Sequence, residues 1–461
     1  MKDTKREINL YSIYDRTGLQ KHLEEMAAKG WMLERIGQFF WHYRRSEAKK
    51  LRFAVSYFPG ASTFDPAPSE KQETYREFCE HAGWKLAADS AQLEIYYNED
   101  ENAVPLVTDS LVEIETIHKT AKKTILMSSF LLLGIAIMQV GRFVYDYKRD
   151  TISFFLDNTN FFMLICWILI GVTSIVELAN YFTWYFKAKK TAYADGSFVE
   201  TKSRSGLMKM LLGVLIVMTI CMFISMATSL GGVAVWISLG YSAILFGLVF
   251  GVKKVLKKIS APAKLNRNIT LFTCFLASVI ATVFLTFLVF QNLDALRHKN
   301  HKPVTTYEYD GWTFEVYEDE LPLYLEDLME VGEKKYSCKK DEKKSFVLKQ
   351  SSVRQDVLHS EEKGSELSYE IIDVKMPAIY DTCVNYYLRE ASRYDDMMEY
   401  REVQEEAWEA QKVYKLYAGP EYLNTYLVCY ENRIVRISLY DFDTENNPAF
   451  AKIISEKLKP N

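Results

Sequence analysis

The chain lacks the residues and motifs from which most enzymes are built. Its 461 residues hold seven cysteines and seven histidines, with no CxxC pair and no Cys/His cluster at metal-ligand spacing. Neither a structural zinc site nor a dithiol redox centre is therefore expected. No phosphate-cradling GxxxxGK[ST] loop, no HExxH helix and no GxSxG elbow occurs, so no catalytic residue, metal ligand or cofactor is assigned. Neither polar part carries a basic surplus, with 15 basic against 20 acidic side chains over 1–118 and 20 against 33 over 303–461, so direct nucleic-acid binding is not expected. No long apolar run precedes Thr124, so no cleavable signal peptide is expected.

What the chain does have is a block of apolar segments. Five stretches are of membrane-spanning length, read as 124–144, 161–182, 207–227, 231–252 and 269–290; about 20 residues cross a hydrocarbon core of about 30 Å as a helix. An odd number of crossings puts the two polar ends on opposite sides. Lys and Arg in the connections set the direction. Fifteen lie on the side of the N-terminus, between Lys119 and Arg267, against six on the other side: Arg142, Lys148, Arg149, Arg297, Lys299 and Lys302. The expected protein is a multi-pass cell-membrane protein with a cytoplasmic N-terminus and an extracytoplasmic C-terminus.

Three parts follow from charge. Residues 1–118 carry 15 basic and 20 acidic side chains, residues 119–302 carry 21 and 7, and residues 303–461 carry 20 and 33. The positive surplus lies at the membrane, where anionic inner-leaflet lipids attract it. The expected fold class is an α+β membrane protein: a cytoplasmic domain over 1–118, a five-helix transmembrane region over 119–302 and an extracytoplasmic α+β domain over 303–461.

In the first part the segment GLQKHLEEMAAK places Leu19, Leu23, Met26 and Ala27 on one helical face and ends at Gly30-Trp31. The segment EKQETYREFCEHA ends in the same way at Gly83-Trp84. Glycine closes a helix in the left-handed conformation, and the tryptophan that follows folds back as a core anchor. Strand signals at 8–14, 31–44, 51–58 and 84–97 give the order β-α-β-β-α-β, a ferredoxin-like arrangement. Phe39, Phe40, Trp41, Tyr43, Phe53, Tyr57 and Phe58 crowd the middle strands, either as a partner-binding face or as ordinary packing. The basic tract Arg44, Arg45, Lys49, Lys50 and Arg52 is read as a hairpin turn, solvated or touching lipid headgroups.

The run YDRTGLQKHLEEMAAKGWMLERIGQFFWHYRRSEAKKLRFAVSYFPGASTFD, with the later YREFCEHAGW, resembles the bacterial "domain of unknown function 2812" family over about the first 100 residues. The segment DELPLYLEDL is similar to one found beyond the membrane spans of long members. Members resembling this chain occur in Firmicutes and are commonly linked with PadR-type transcriptional regulators. The resemblance thus implies a regulatory role and a PadR-type partner, and it carries no catalytic residues.

Within the spans Glu177 is the one ionisable residue well inside an apolar segment, with Asn180 one turn on as a hydrogen-bond donor. Such a carboxylate is either a polar tie between helices or an ion-coupled site. Gly247 and Gly251 form a GxxxG pair that permits close helix contact, within the chain or in a homodimer. Lys253, Lys254, Lys257 and Lys258 read as a lipid-facing electrostatic anchor.

In the last part, two strand runs within 305–319 are expected to join at Asp310-Gly311 as a hairpin, with further strands near 345–353, 367–374 and 413–417 and a hairpin over 424–439. A helix runs from Ala378 toward Ala410, with the charged stretch 394–409 as the place where it would break, and another helix ends the chain. Cys338, Cys383 and Cys429 allow one disulfide, with no pair favoured. The carboxylates Glu318, Asp319, Glu320, Glu326 and Asp327 lack the spacing of a calcium loop.

Two functions compete. One is a membrane regulator or signal transducer coupling an outer domain to a cytoplasmic protein-interaction domain. The other is a small-solute transporter, or transporter accessory subunit, using Glu177; against it stand five spans without an inverted repeat.

Overall fold

The computed structural model describes residues 3–8, 11–37, 40–201, 205–229, 232–291, 302–309, 311–328, 335–358, 365–394, 397–439 and 449–460. The chain forms two compact units, residues 1–141 with 162–284, and residues 142–161 with 285–461.

The first unit begins with a βαββ arrangement that occurs twice. β1 (Thr4–Glu7), α1 (Arg16–Ala28), β2 (Trp31–Ile36) and β3 (Trp41–Arg45) are followed by β4 (Arg52–Tyr57), α2 (Glu70–His81), β5 (Lys85–Ser90) and β6 (Leu93–Asn98). Each repeat has its own three-stranded antiparallel sheet, in the orders β1-β3-β2 and β4-β6-β5. This differs from a single ferredoxin-like sheet of order β-α-β-β-α-β. The first strand lies upstream of Ile8–Tyr14, and the runs 31–44 and 84–97 each fold into a hairpin. Gly37 turns the first, its N–H donating to Phe40 O at 3.0 Å; Ala91, at φ 50°, turns the second. Neither run carries the Asn-Gly or Asp-Gly pair that marks a tight hairpin, so each reads as one strand.

Leu19, Leu23, Met26 and Ala27 of α1 bury against Trp41, Tyr43, Phe53, Val55 and Ile95. Trp41, Tyr43 and Phe53 of the middle strands are thus core, Tyr57 and Phe58 are half-buried and Phe40 is exposed; Phe39 lies outside the described residues. Gly30 and Gly83 have φ of 77° and 84°, the left-handed region that favours glycine.

The helices that follow are α3 (Ser110–Ala121), a π-helical turn at Lys122–Leu126, α4 (Met127–Arg149), α5 (Thr151–Leu156), α6 (Asn158–Asp195), α7 (Ser205–Ser229), α8 (Gly232–Lys258) and α9 (Ala263–Gln291). Five stretches are long and apolar enough to cross a membrane: Ser110–Arg149, Asn158–Asp195, Gly206–Ala227, Leu239–Lys258 and Ala263–Phe287. They carry most of the exposed large apolar side chains, such as Phe130, Ile137, Phe275 and Phe284, which in water would be costly and in lipid are not. At 38 residues, α6 is about 57 Å long, nearly twice the hydrocarbon thickness. Its last turns therefore extend beyond any single crossing.

The second unit opens with a hairpin, β7 (Thr305–Tyr309) and β8 (Trp312–Val316), and centres on a seven-stranded antiparallel sheet. Its strands are β9 (Tyr336–Lys344), β10 (Leu348–Val357), β11 (Ser365–Val374), β12 (Met398–Val403), β13 (Lys412–Ala418), β14 (Glu421–Cys429) and β15 (Arg433–Leu439), in the order β12-β13-β14-β15-β11-β10-β9. Two helices accompany it, α10 (Tyr380–Tyr394) and α11 (Ala449–Leu458). The helix expected over 378–410 stops at Tyr394, and residues 398–403 join the sheet edge instead, with alternating half-buried and exposed positions. β9, whose KKDEKK sequence looks like a solvated loop, is the other edge; charged edges discourage pairing with further chains.

One sheet face packs Val353, Leu367, Tyr369, Val435, Ile437 and Trp408 against α11 through Phe450, Ile454 and Leu458. Buried residues of α10, Cys383 and Tyr387, lie on the element that covers part of the other face. In the same unit Arg393 donates to the carbonyls of Lys148 (2.7 Å) and Arg149, Phe346 N donates to Asn158 Oδ1 (3.0 Å), and the Phe161 and Phe346 rings lie 4.8 Å apart. The seven cysteines are free thiols.

Candidate functional site

The segment between β1 and α1 is where the soluble part of the first unit meets its helices. Asp15 caps α1, accepting from Gly18 N at 3.2 Å. A side chain at position 18 would collide with that carboxylate, because an added Cβ would sit 2.5 Å from Asp15 Oδ1. Helix initiation thus fixes the cap, and the cap fixes the residues around it.

Six residues in a row then each carry a tie. Ser12 Oγ donates to Glu177 Oε1 at 2.7 Å. The carbonyl of Ile13 accepts from Tyr57 OH at 2.7 Å, and burial pushes the Tyr57 phenol well above its ordinary value, so it stays a donor. Tyr14 stacks on Trp184 at 5.6 Å and meets Tyr181 edge-on. Asp15 accepts from Thr201 Oγ1, and Thr17 Oγ1 accepts from Thr201 N at 3.0 Å. Arg16 forms an ion pair with Glu113 of α3 at 2.6 Å and lies over the Phe198 ring at 5.2 Å. Its partner carboxylate is 9% exposed, so the charges depend on one another.

Beside this clasp, α3 and α6 lock together. His118 Nδ1 lies 2.6 Å from Tyr181 OH, and its ring stacks on Tyr185 at 4.6 Å. Ile114 packs with Ala188 and Ala192. Tyr14, Arg16, Glu113, Trp184 and Thr201 line a cleft of about 30 Å³. That is room for a water molecule.

A second attachment follows β4. Asn266, fully buried at the start of α9, donates to Phe64 O at 3.1 Å, and Lys123 Nζ donates to Pro59 O at 2.9 Å. Lys253 places its ammonium 5.3 Å from the centre of the Phe64 ring, so one member of the basic set read as lipid-facing sits against protein. Lys254 and Lys258 are exposed and Lys257 is half-buried.

The other residues singled out from sequence fall elsewhere. Asn180 is half-buried on α6, three positions beyond Glu177. A Cβ at Gly247 or Gly251 would meet nothing within 4 Å, so the GxxxG pair is not used for packing within the chain among the described residues. Arg45 lies over the Trp31 ring at 5.1 Å, and Trp84 Nε1 donates to Val104 O at 3.0 Å. Among the described residues no group of three or more His, Cys, Asp or Glu could hold a metal ion. The sequence reading missed Thr201, Glu113 and Asn266. The polar character of Glu113 and Asn266 beside apolar runs was the available signal.

Fold and site together define an α+β protein with five candidate membrane-spanning helices and a soluble domain clasped to them. A family model described as "Protein of unknown function (DUF2812)" matches residues 17–129, from the first turn of α1 through α3 and into the start of α4, with β1 and Ser12 to Arg16 outside it. The match therefore takes in Glu113, the partner of Arg16. No curated protein and no solved structure matches the chain.

Proposed function

We propose that the protein is an integral membrane regulator in which the C-terminal α+β domain receives a signal and the N-terminal domain delivers it to a cytoplasmic protein partner, a PadR-type transcriptional regulator being the kind the family resemblance suggests. The observation that carries this reading is the clasp from Ser12 to Thr17, in which successive residues of one segment hold α3, α6 and Thr201. A domain fixed so closely to membrane helices moves when they move.

Orientation follows from charge: fifteen inner against six outer Lys and Arg place the N-terminal domain in the cytoplasm and the C-terminal domain outside. The attachments agree with this. The N-terminal domain is held by the second connection, at Thr201, and beside the fourth, at Lys253 and Asn266, whereas Arg393 of the C-terminal domain is held by the first, at Lys148 and Arg149. In a five-span chain those are connections on alternate sides. Glu177 receives Ser12 from the soluble domain, which supports a structural tie over a transport site.

The test is affinity purification of the tagged chain from detergent extracts, with and without residues 1–118, together with thiol labelling from outside intact cells. A protein captured by the whole chain and lost with the deletion supports the reading, as does labelling of Glu431→Cys and not of Gly60→Cys. Labelling of Gly60→Cys from outside would reverse the domain assignment.

A further inference from the structure

The face of the seven-stranded sheet opposite α11 is covered only in part. Beyond α10 it opens into a cavity of about 490 Å³, within the size range of small-molecule sites. Strand register lays two polar rows across its floor. In one row Lys339, Arg354, Ser368 and Ser438 are successive cross-strand partners from β9 to β15; in the next, Asp341, Ser352, Glu370 and Arg436 are. Four adjacent strands thus turn charge and hydroxyl to one side while burying apolar residues on the other.

The second row is satisfied at Glu370 and Arg436 by partners that lie outside the row. Arg436 Nη1 lies 3.2 Å from Glu390 Oε2, and the Glu370 carboxylate accepts from Gln350 Nε2 and, at 2.8 Å, from Tyr387 OH. The first row is not. It sets Lys339 directly opposite Arg354, a like-charge pair that costs stability in an antiparallel sheet. Lys339 turns to Asp341 at 3.7 Å and to the Tyr317 ring at 4.4 Å. Arg354 is exposed to the cavity and makes no hydrogen bond or ion pair among the described residues, and the hydroxyls of Ser352 and Ser368 make no hydrogen bond there either.

One uncompensated guanidinium, two free hydroxyls and a carboxylate held in place as an acceptor specify a ligand. A guanidinium fork matches a carboxylate through two parallel hydrogen bonds. A single negative charge is what Arg354 can neutralise; a second would face Asp341 and Glu370 on the same floor. Ligand hydroxyls are the groups that can both accept from serine and donate to Glu370.

We propose that this open half of the sheet binds a small hydroxylated monocarboxylate of the sugar-acid kind, its carboxylate on Arg354 and its hydroxyls on Ser352, Ser368 and Glu370. The site goes beyond the regulatory reading, and its occupancy is measurable whether or not that reading holds.

The experiment is isothermal titration calorimetry of the full chain in detergent with gluconate, glucose and inorganic phosphate. Gluconate is expected to bind, glucose and phosphate to bind far more weakly or not at all. Arg354→Ala should weaken gluconate binding about tenfold or more, and Ser368→Ala should weaken it by a smaller factor. Both side chains lack partners, so both variants should melt as the parent does. Absence of gluconate binding, phosphate binding as tight as gluconate binding, or an Arg354→Ala variant that binds like the parent would each overturn the assignment.

Discussion

The hydroxyl of Ser12 lies 2.7 Å from Glu177 Oε1 and joins residues 165 positions apart in the chain. The carboxylate that looks stranded in an apolar helix is met by a donor from the soluble domain. Glu177→Gln keeps an acceptor oxygen for Ser12, and should leave the melting temperature of the full chain nearly unchanged. Glu177→Leu removes the acceptor, at a cost of about 0.6 to 2 kcal/mol on the scale of polar contacts in membranes. Ser12→Ala should cost a similar amount and add little on top of Glu177→Leu. A Gln variant that melts normally but has lost partner capture would instead assign the carboxylate a functional role.

The ion pair between Arg16 and Glu113 is enclosed, with side chains 20% and 9% exposed. Removing one member strands the other. Arg16→Ala should therefore destabilise the attachment of α1 to α3 by about 3 kcal/mol, and Glu113→Gln by less, since the amide still accepts from the guanidinium. The double variant Arg16→Met with Glu113→Leu should recover most of the loss, because no buried charge remains. Protease susceptibility of the N-terminal domain in the full chain reads all three; a double variant as weak as Arg16→Ala would contradict the account.

The two glycine stops differ in their surroundings. A Cβ at Gly30 would lie 2.9 Å from the backbone oxygen of Ser46, whereas one at Gly83 would lie 3.3 Å from the Asn98 side-chain amide. Both substitutions to alanine pay for positive φ, about 1 to 2 kcal/mol. Gly30→Ala should cost more, because backbone yields less readily than a side-chain end. Equal melting of the two variants would show that the Ser46 contact relaxes freely.

Some of this was legible in the sequence. The apolar face of α1, Leu19, Leu23, Met26 and Ala27, follows from 3.6-residue periodicity, and five apolar stretches follow from length and hydropathy. The hairpins within 31–45 and 85–98 were not, since neither turn carries the Asn-Gly or Asp-Gly pair that marks a tight hairpin. β9 was hidden because an edge strand of lysines and acids reads as loop. The clasp was hidden for a different reason: Ser12 and Glu177, or Thr17 and Thr201, are partners that only tertiary structure brings together, and a lone serine or threonine carries no local signature of its partner.

The last prediction concerns pH. His22 of α1 is half-buried, and burial lowers the pKa of its imidazole, assisted by Lys5 and Lys209 and opposed by Glu7 and Glu25. Its Nε2 lies 3.5 Å from Glu7 Oε1, yet desolvation outweighs the attraction. A base whose folded pKa lies below its unfolded value of about 6.5 binds fewer protons folded than unfolded as pH falls through that window. Stability contributed by neutral His22 is thus fully present above about pH 6.5 and declines as pH drops toward the lowered folded pKa. The melting temperature of the full chain should accordingly fall between pH 7 and pH 5, and His22→Gln, which cannot titrate, should show a shallower decline. Parallel pH profiles for the parent and His22→Gln would mean that Glu7 and Glu25 offset the burial in full.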